Sequence, residues 1–498
     1  MGWSVRSEPQ QHAGGGISTR NGDGVGSYGE GRSDRGGGKG GCRGSSRVGI
    51  GNDPRVITAS MSKAACPQDI LAVVRDNLSE LNHIHVSMAF NRLGKMAKSR
   101  DSTPRHLIED EAFEVLLRLV RECATNGTSG SQAVANTTHG IARLHEAGQL
   151  STAHGSVNDT LVALETAAEW VARDMKSQNV ANLIWGYATL GRMPGDNTWA
   201  ALEAAAGRVA RDMNSQDVVN LIWGYATLGR MPGDNTWVTL ETVAGRVAQG
   251  MNAQNVANLI WGYATLGRMP GDSTWAALET AAVRVALDMN SQEVANILFG
   301  YATLFILQDV DQPSIYAVVW NLVCGLEVRD FNREQLCMLF HVHLMHQFFG
   351  SLRSTTVKYP EWLMTEARDA WMHDVQSNNT VSRPHQELAS VFESLRVQQK
   401  VECVTADGYF SMDIYLPDHD VAVEFDGPTH YYHNSDSSSS RDALMTRTAK
   451  TELRDLFLAK QCAKVVTVPW FEWDALNSQE KRSAYVRKKF AKEAGVDV

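Results

Sequence analysis

Through the middle of the chain, apolar residues recur at helical spacing and do not alternate. In Ser177–Arg192, Leu183, Ile184, Tyr187 and Leu190 fall three and four apart and form one helical stripe. Ser177, Ser215 and Ser291 stand where an N-cap is expected, with Ala253 at that place in another copy. Pro194 and Gly195 in "MPGD" break the helix. A second helix is predicted over Thr198–Met213, with Trp199, Leu202 and Val209 for packing. Its Ala201, Ala204, Ala205 and Gly207 permit close approach.

This pair of helices is written more than once. Trp185, Trp223, Trp261 and Phe299 stand 38 residues apart. One helical hairpin cannot bury both its faces, but stacked copies can, so the period predicts an α-solenoid. The clear copies span 177–305. "SQAVANTTHGIARL" at Ser131–Leu144 and "HVSMAFNRLGKM" at His85–Met96 read as weaker ones, and extend the helical array over 61–350. "FNREQLCMLFHVHLMH" reads as a further amphipathic helix. Its His341, His343 and His346 do not share one helix face, so they are expected to be packing or surface residues and not a metal site.

The other side of the first helix carries chemistry. Gln178, Asn182, Trp185, Thr189 and Arg192 are spaced to share a face. An amide, an aromatic ring and a guanidinium are the groups that bond base edges, stack on bases and touch phosphate. Asn182, Asn220, Asn258 and Asn296 are in register, as are Arg192, Arg230 and Arg268. Beside them Asn179, Asp217, Asn255 and Glu293 vary at one place in an otherwise fixed frame, as a base-reading position would. A repeated Asn also serves by bonding the neighbouring copy, and Trp185 also serves as core.

The unit resembles the octotricopeptide repeat of green-algal organelle proteins. The likeness rests on the 38-residue, two-helix period and on "PGDNTW" at Pro194–Trp199 and Pro232–Trp237, with "PGDSTW" at Pro270–Trp275. The family's second helix opens on several prolines and Glu-Trp; here one proline stands and the Glu is absent. The resemblance implies single-stranded organellar RNA as partner, other RNA-processing proteins beside it, and a role in RNA stability, processing or translation.

Residues 351–382 read as a linker, and the pattern then changes. "PHQELASVFESL" is helical, "YFSMDIYLP" and "HDVAVEFDGPTHYY" read as strands, Ser437–Ser440 as a loop, "LMTRTAKTELRDLFLAKQC" as a helix and "AKVVTVPWFEW" as a strand. This order predicts a small α/β domain over 383–491. It resembles the RAP domain of organelle RNA-binding proteins. The residues that carry the likeness are Asp413, then Glu424, Asp426, Gly427, Pro428 and His430 in "VEFDGPTH", then Lys450, Leu453 and Arg454, then Val468, Pro469, Glu472 and Trp473. The resemblance further implies a restriction-endonuclease-like fold. On that reading Glu387, Asp413 and Glu424 are the catalytic candidates for holding Mg²⁺, with Asp426 where the nuclease pattern has a lysine. That replacement favours RNA binding over cleavage, with His430, Tyr431 and Tyr432 placed to stack on bases; Lys450 and Arg454 count among the RNA-binding residues, and would fill the gap of the missing lysine if the domain cleaves. No cofactor is expected, apart from Mg²⁺ if the domain cleaves.

Composition and charge adjust this picture. The chain is 43% hydrophobic and 21% charged, as in a globular protein. No run is long and apolar enough to span a membrane. The seven cysteines lack a CxxC pair, which argues against a disulfide framework and against a zinc site. Residues 1–60 are rich in Gly, Ser and Arg without apolar period, and read as a disordered segment or an organelle transit peptide, for chloroplast stroma or mitochondrial matrix. The net charge is −9. The clear copies hold seven Arg against ten acids, which favours a protein-binding scaffold unless the arginines gather on one face. Three readings result: an organellar RNA-binding factor, a metal-dependent ribonuclease, and a scaffold.

Overall fold

A computed structural model describes residues 53–97, 107–309, 314–350, 359–377, 382–434 and 446–498. The protein is mostly helical, with a small sheet near its C-terminus. The helices run in order α1 (Pro54–Lys63), α2 (Pro67–Asp76), α3 (His83–Met96), α4 (Glu111–Thr125), α5 (Ser131–Glu146), α6 (Gly155–Val171), α7 (Ser177–Thr189) and α8 (Asp196–Val209). Then come α9 (Ser215–Leu228), strand β1 (Arg230–Met231), α10 (Asp234–Val247), α11 (Ala253–Thr265), α12 (Asp272–Val285), α13 (Ser291–Gln308), α14 (Ile315–Cys324), α15 (Arg333–Phe349) and α16 (Glu366–Ser377). Odd-numbered helices from α3 to α15 pack each against the next, and even-numbered ones from α4 to α14 do the same behind them.

Glycine sets how closely the odd helices approach. A Cβ added at Gly224 would lie 2.7 Å from Ile184 Cγ2, at Gly262 2.9 Å from Ile222 Cγ2, and at Gly300 2.8 Å from Ile260 Cγ2. At Gly140 it would meet backbone, 2.4 Å from the Phe90 carbonyl oxygen. The second layer is tied by rings and ion-assisted bonds. Trp199, Trp237 and Trp275 each meet the Tyr of the following copy, Tyr225, Tyr263 and Tyr301, edge to face at 5.3, 5.4 and 5.3 Å. Gly195 N–H donates to Glu165 at 2.8 Å and Gly233 N–H to Glu203 at 3.0 Å. Arg208 donates back to the carbonyls of Ala172 and Met175, and Arg246 to those of Arg211 and Met213.

The helix caps differ from the sequence reading. The cap is Lys176, Asn214, Asn252 or Asn290, one residue before the expected Ser or Ala. The Asn carbonyl reaches the third helical N–H, a bond Ser at the next position is placed wrongly to make.

The sequence boundaries also move. Residues 1–52 lie outside the described residues, but α1 begins at Pro54, and its Ile57 and Met61 are fully buried against the array. The expected linker contains α16, which packs on α15; its buried Trp371 donates Nε1–H to the Tyr409 carbonyl at 2.8 Å. Three apolar residues spaced along α16 (Ala367, Trp371, Val375) explain why it docks. The loop at Ser437–Ser440 lies outside the described residues.

The C-terminal part opens with α17 (Arg383–Ser394). Strands β2 (Lys400–Val404), β3 (Ser411–Leu416), β4 (Val421–Asp426) and β6 (Lys464–Pro469) form one sheet in the order β2-β3-β4-β6, antiparallel except for β4-β6. Strand β2 escaped the sequence reading because Lys400 and Glu402 interrupt its apolar pattern. All six residues of β4 are buried, as suits a central strand. The expected strand over "AKVVTVPWFEW" stops at Pro469, where α19 (Trp470–Asp474) begins; Pro469 has no N–H with which to continue the ladder. Helix α18 (Ala449–Leu458) precedes β6 in the chain, and α20 (Gln479–Glu493) packs on α17.

The sheet is not separate from the helical array. Helix α18 rests on α11 and α13. β5 (His433–Asn434) pairs with β1 in parallel, with His433 N–H donating to the Gly229 carbonyl at 2.9 Å. Tyr432 hydroxyl donates to the Thr265 carbonyl. Phe410, Met412, Leu453 and Phe457 belong to the same continuous core as the array, while Ile414, Val423, Phe425 and Trp473 form a second core on the sheet's other side.

Gly140→Ala should therefore destabilise more than Gly186→Ala. The first must move the Phe90 backbone, whereas the second meets a movable Thr138 methyl at 3.1 Å. Overpacking of the first kind costs about 1–3 kcal/mol. Urea unfolding followed by circular dichroism measures both; equal midpoints would show that glycine does not set the helix spacing.

Candidate nucleic-acid interface and carboxylate cluster

The odd-numbered helices carry a ladder of rings. His139 and Trp185 lie 4.8 Å apart between centroids, Trp185 and Trp223 6.3 Å, and Trp223 and Trp261 6.4 Å, the last two pairs tilted by 33° and 34°. Farther along, Phe299 lies 5.7 Å from His341, and His341 lies 5.3 Å from Phe457 of α18. The three tryptophans and Phe299 are half-buried, so each keeps ring surface open. Burial first, then the charges of Arg143 and Lys95, bring His139 down to about 3, so its ring is neutral at neutral pH. His341 and His346 are buried in packing, and His346 is bonded to the hydroxyls of Tyr316 and Tyr359 at 2.6 and 2.8 Å.

One turn before each ring stands the asparagine row. Asn182, Asn220 and Asn258 are half-buried and Asn296 is buried. Asn296 Nδ2 donates to Asn258 Oδ1 at 3.2 Å, and Gln216 and Gln292 donate to Asn220 and Asn296 at 2.7 Å each. The row is partly committed to its own neighbours, as amides in adjacent copies can be.

The varying position turns inward. Asn179, Asp217, Asn255 and Glu293 are all buried at the third place of their helices. Asn179, Asp217 and Glu293 accept the N–H of the cap residue, at 3.2, 3.3 and 2.8 Å. Asn255 instead donates to Gln216 of the preceding copy at 3.2 Å. Three of the four form the returning half of a capping box, a place that Asn, Asp and Glu all fill. Their side chains are spent on these internal bonds.

The arginine row is likewise used internally. The helices end before these residues, and Gly191, Gly229 and Gly267 take left-handed φ of 60°, 62° and 63°. The chain turns there, so the guanidiniums leave the helical face on which regular spacing would place them. Arg192 pairs with Glu165 at 3.3 Å. Arg230 pairs with Asp196 at 3.4 Å and lies 5.0 Å over Trp199; Arg268 pairs with Asp234 at 3.4 Å and lies 4.7 Å over Trp237.

In the sheet domain, Glu424 and Asp426 are fully buried and face one side, as their spacing predicts. Arg454 stands on that side, 2.7 Å from Glu424 and 3.5 Å from Asp426. Arg447 adds a contact to Asp426 at 3.0 Å and to Asp455 at 2.6 Å. Burial pushes the Glu424 carboxyl well above the ordinary range; Arg454 pulls it down, while Asp413 and Asp455 add to the rise. The Arg454 guanidinium thus lies between the two buried carboxylates and is turned toward them.

The other candidates divide. Asp413 does meet Glu424, whose Oε1 accepts the Asp413 N–H at 3.3 Å. Glu387 turns to Arg383 at 2.9 Å and Arg482 at 3.1 Å instead of joining them. The ring that reaches Asp413 is His385, two residues earlier on the same helix, with Nε2 3.4 Å from Oδ2. His430 is half-buried and bonded to Asp426 at 2.7 Å. Tyr431 and Tyr432 are buried, so neither stacks on a base. Lys450 keeps an exposed side chain; partial loss of water, then the Arg454 charge, bring it down to about 8. Sequence reasoning passed over His385, Glu402, Arg447 and Asp455, which no local motif links.

Removing Arg454 should leave Glu424 and Asp426 buried with less counter-charge. Arg454→Met is expected to cost about 3–5 kcal/mol, against about 1 kcal/mol or less for Glu387→Gln at a more open pair. Thermal and urea unfolding compare the two; a harmless Arg454→Met would dismiss the pairing as the support of the buried acids.

No helix of the described residues is long and apolar enough to cross a membrane. No curated protein matches the chain. The family model of the RAP domain, a domain generally associated with RNA binding, matches residues 423–489, from β4 through most of α20.

Proposed function

We propose that the protein is an RNA-binding factor of a chloroplast or mitochondrion that acts after transcription, on RNA stability, processing or translation. In this reading the helical array is a solenoid of 38-residue repeats of the octotricopeptide kind, and its Trp–Asn face receives single-stranded RNA. The observation that carries the proposal is the half-buried ring ladder. Trp185, Trp223 and Trp261 present tilted rings in register, flanked by Asn182, Asn220 and Asn258, and the ladder's far end meets α18 of the RAP-matched segment. Rings with adjacent amides suit base stacking and edge recognition.

The RAP domain contributes binding and not efficient cleavage in this reading. Arg454 between Glu424 and Asp426 supports that choice over a Mg²⁺-dependent ribonuclease. A protein-binding scaffold is the second reading, favoured by the use of Arg192, Arg230 and Arg268 within the array.

Fluorescence anisotropy with a library of short single-stranded RNAs tests this. Base–ring stacking contributes about 1–3 kcal/mol per base, so the triple Trp185, Trp223, Trp261→Ala protein should lose at least tenfold in affinity. The salt dependence of the wild-type protein should be shallow, because Arg192, Arg230 and Arg268 are paired with acids of the array. Unchanged RNA affinity in a folded triple variant would transfer the face to the scaffold reading. For location, a reporter fused to residues 1–60 is expected to enter an organelle, as fluorescence microscopy would record; one left in the cytosol would remove the organellar part.

A further inference from the structure

A second cluster lies outside the helical array and outside the residues matched by the RAP model. His385 sits in the first turn of α17, which Ser382 caps. Glu402 and Asp413 are brought opposite each other by the β2-β3 register, since Val401 pairs with Ile414 and Cys403 with Met412. Glu402 holds a left-handed φ of 48° inside its strand. The result is a ring between two carboxylates. His385 Nδ1 lies 2.6 Å from Glu402 Oε1, and Nε2 lies 3.4 Å from Asp413 Oδ2. One donor atom from each residue lies within 4.8 Å of the others.

We propose that these residues bind one divalent transition metal of the zinc type. His385 Nε2 and the Asp413 carboxylate are the direct ligands. Glu402 accepts the Nδ1 proton and so fixes the tautomer that leaves Nε2 free to coordinate, as outer carboxylates do for metal-bound histidines. Nitrogen and carboxylate ligands of zinc sit at about 2.0–2.2 Å, which puts two of them roughly 3–3.5 Å apart in a tetrahedral site. The His385–Asp413 separation of 3.4 Å already has that span. Phe425 N–H donates to Asp413 Oδ2 at 2.7 Å and holds that carboxylate in place. The side chains of His385, Glu402 and Asp413 are only 14%, 12% and 17% exposed, which restricts competition from water.

The surrounding charge favours a cation. Five acids, Glu402, Asp413, Glu424, Asp426 and Asp455, stand near two guanidiniums, Arg447 and Arg454; the arginines form ion pairs only with the last three, although the Arg454 charge also reaches Asp413 and His385. That leaves Glu402 and Asp413 facing His385. Where the ring carries a second proton, the metal displaces it from Nε2 to solvent, and the coordinated nitrogen replaces the N–H bond. The set differs from Glu387, Asp413 and Glu424, the acids of the nuclease reading, and does not rest on RNA binding.

The test uses the full-length protein, freed of metal with chelator and titrated with Zn²⁺ by calorimetry. Co²⁺ titration followed by visible absorption reports the ligand field independently. One equivalent of Zn²⁺ and a raised melting temperature are expected. His385→Ala and Asp413→Asn should abolish both, and Glu402→Ala should weaken binding roughly 10–100-fold. His430→Ala, at the separate Asp426 contact, should leave the stoichiometry unchanged. Asp413→Asn keeps an oxygen for the Phe425 N–H, so it tests the site even where His385→Ala folds poorly. Absence of heat, spectral change and melting shift in the folded wild type would overturn the proposal. So would full Zn²⁺ binding in folded Asp413→Asn.

Discussion

The array depends on one constraint, the closeness of neighbouring first helices. Gly224, Gly262 and Gly300 leave no room for a Cβ against Ile184, Ile222 and Ile260. With the helices held so near, each residue one turn away in sequence is brought beside its counterpart in the next copy. That is why the tryptophans form a ladder at 6.3 and 6.4 Å and why Asn296 reaches Asn258. A wider spacing would separate the rings and admit water between them. The feature proposed to meet RNA is therefore a by-product of backbone packing, set by a residue with no side chain.

How much of this was legible in the sequence depends on distance along the chain. The helical period, the Pro194–Gly195 break and the apolar stripe are local, and α7 and α8 follow them closely. Packing from α3 to α15 goes with an apolar stripe that survives where the letters have changed. The polar face was only half legible. Spacing placed Asn182 and Trp185 together correctly, but carried the face one residue too far, to Arg192, because Gly191 redirects the chain. The varying position misled for another reason. A cap that Asn, Asp and Glu satisfy equally produces variation without any ligand.

The sheet domain shows the same division. Glu424 and Asp426 share a side because a strand repeats every two residues. Which cation meets them is a matter of the fold, because Arg447 and Arg454 arrive from beyond the next loop and from α18. His385 replaces Glu387 beside Asp413 because a helical residue two places earlier points about half a turn away. No spacing rule within α17 selects between them; the β2 strand does, by bringing Glu402 to the ring.

The acid excess of the whole chain, −9, bears on how such a protein would hold RNA. Charge-driven binding needs cations free to release counterions from phosphate. Here the in-register arginines neutralise acids of neighbouring copies, and Arg230 and Arg268 lie over Trp199 and Trp237. They hold the second layer together, and that layer keeps the first in line. Affinity would then come from stacked rings and amides, which bind bases and not phosphates. Such binding is slower to find its target than a basic groove, since steering by the field is lost. It gains discrimination in return, because a surface that offers little to phosphate gives little to the wrong sequence. In the proposed reading the arginines would serve recognition indirectly, by fixing the geometry of a face they do not occupy.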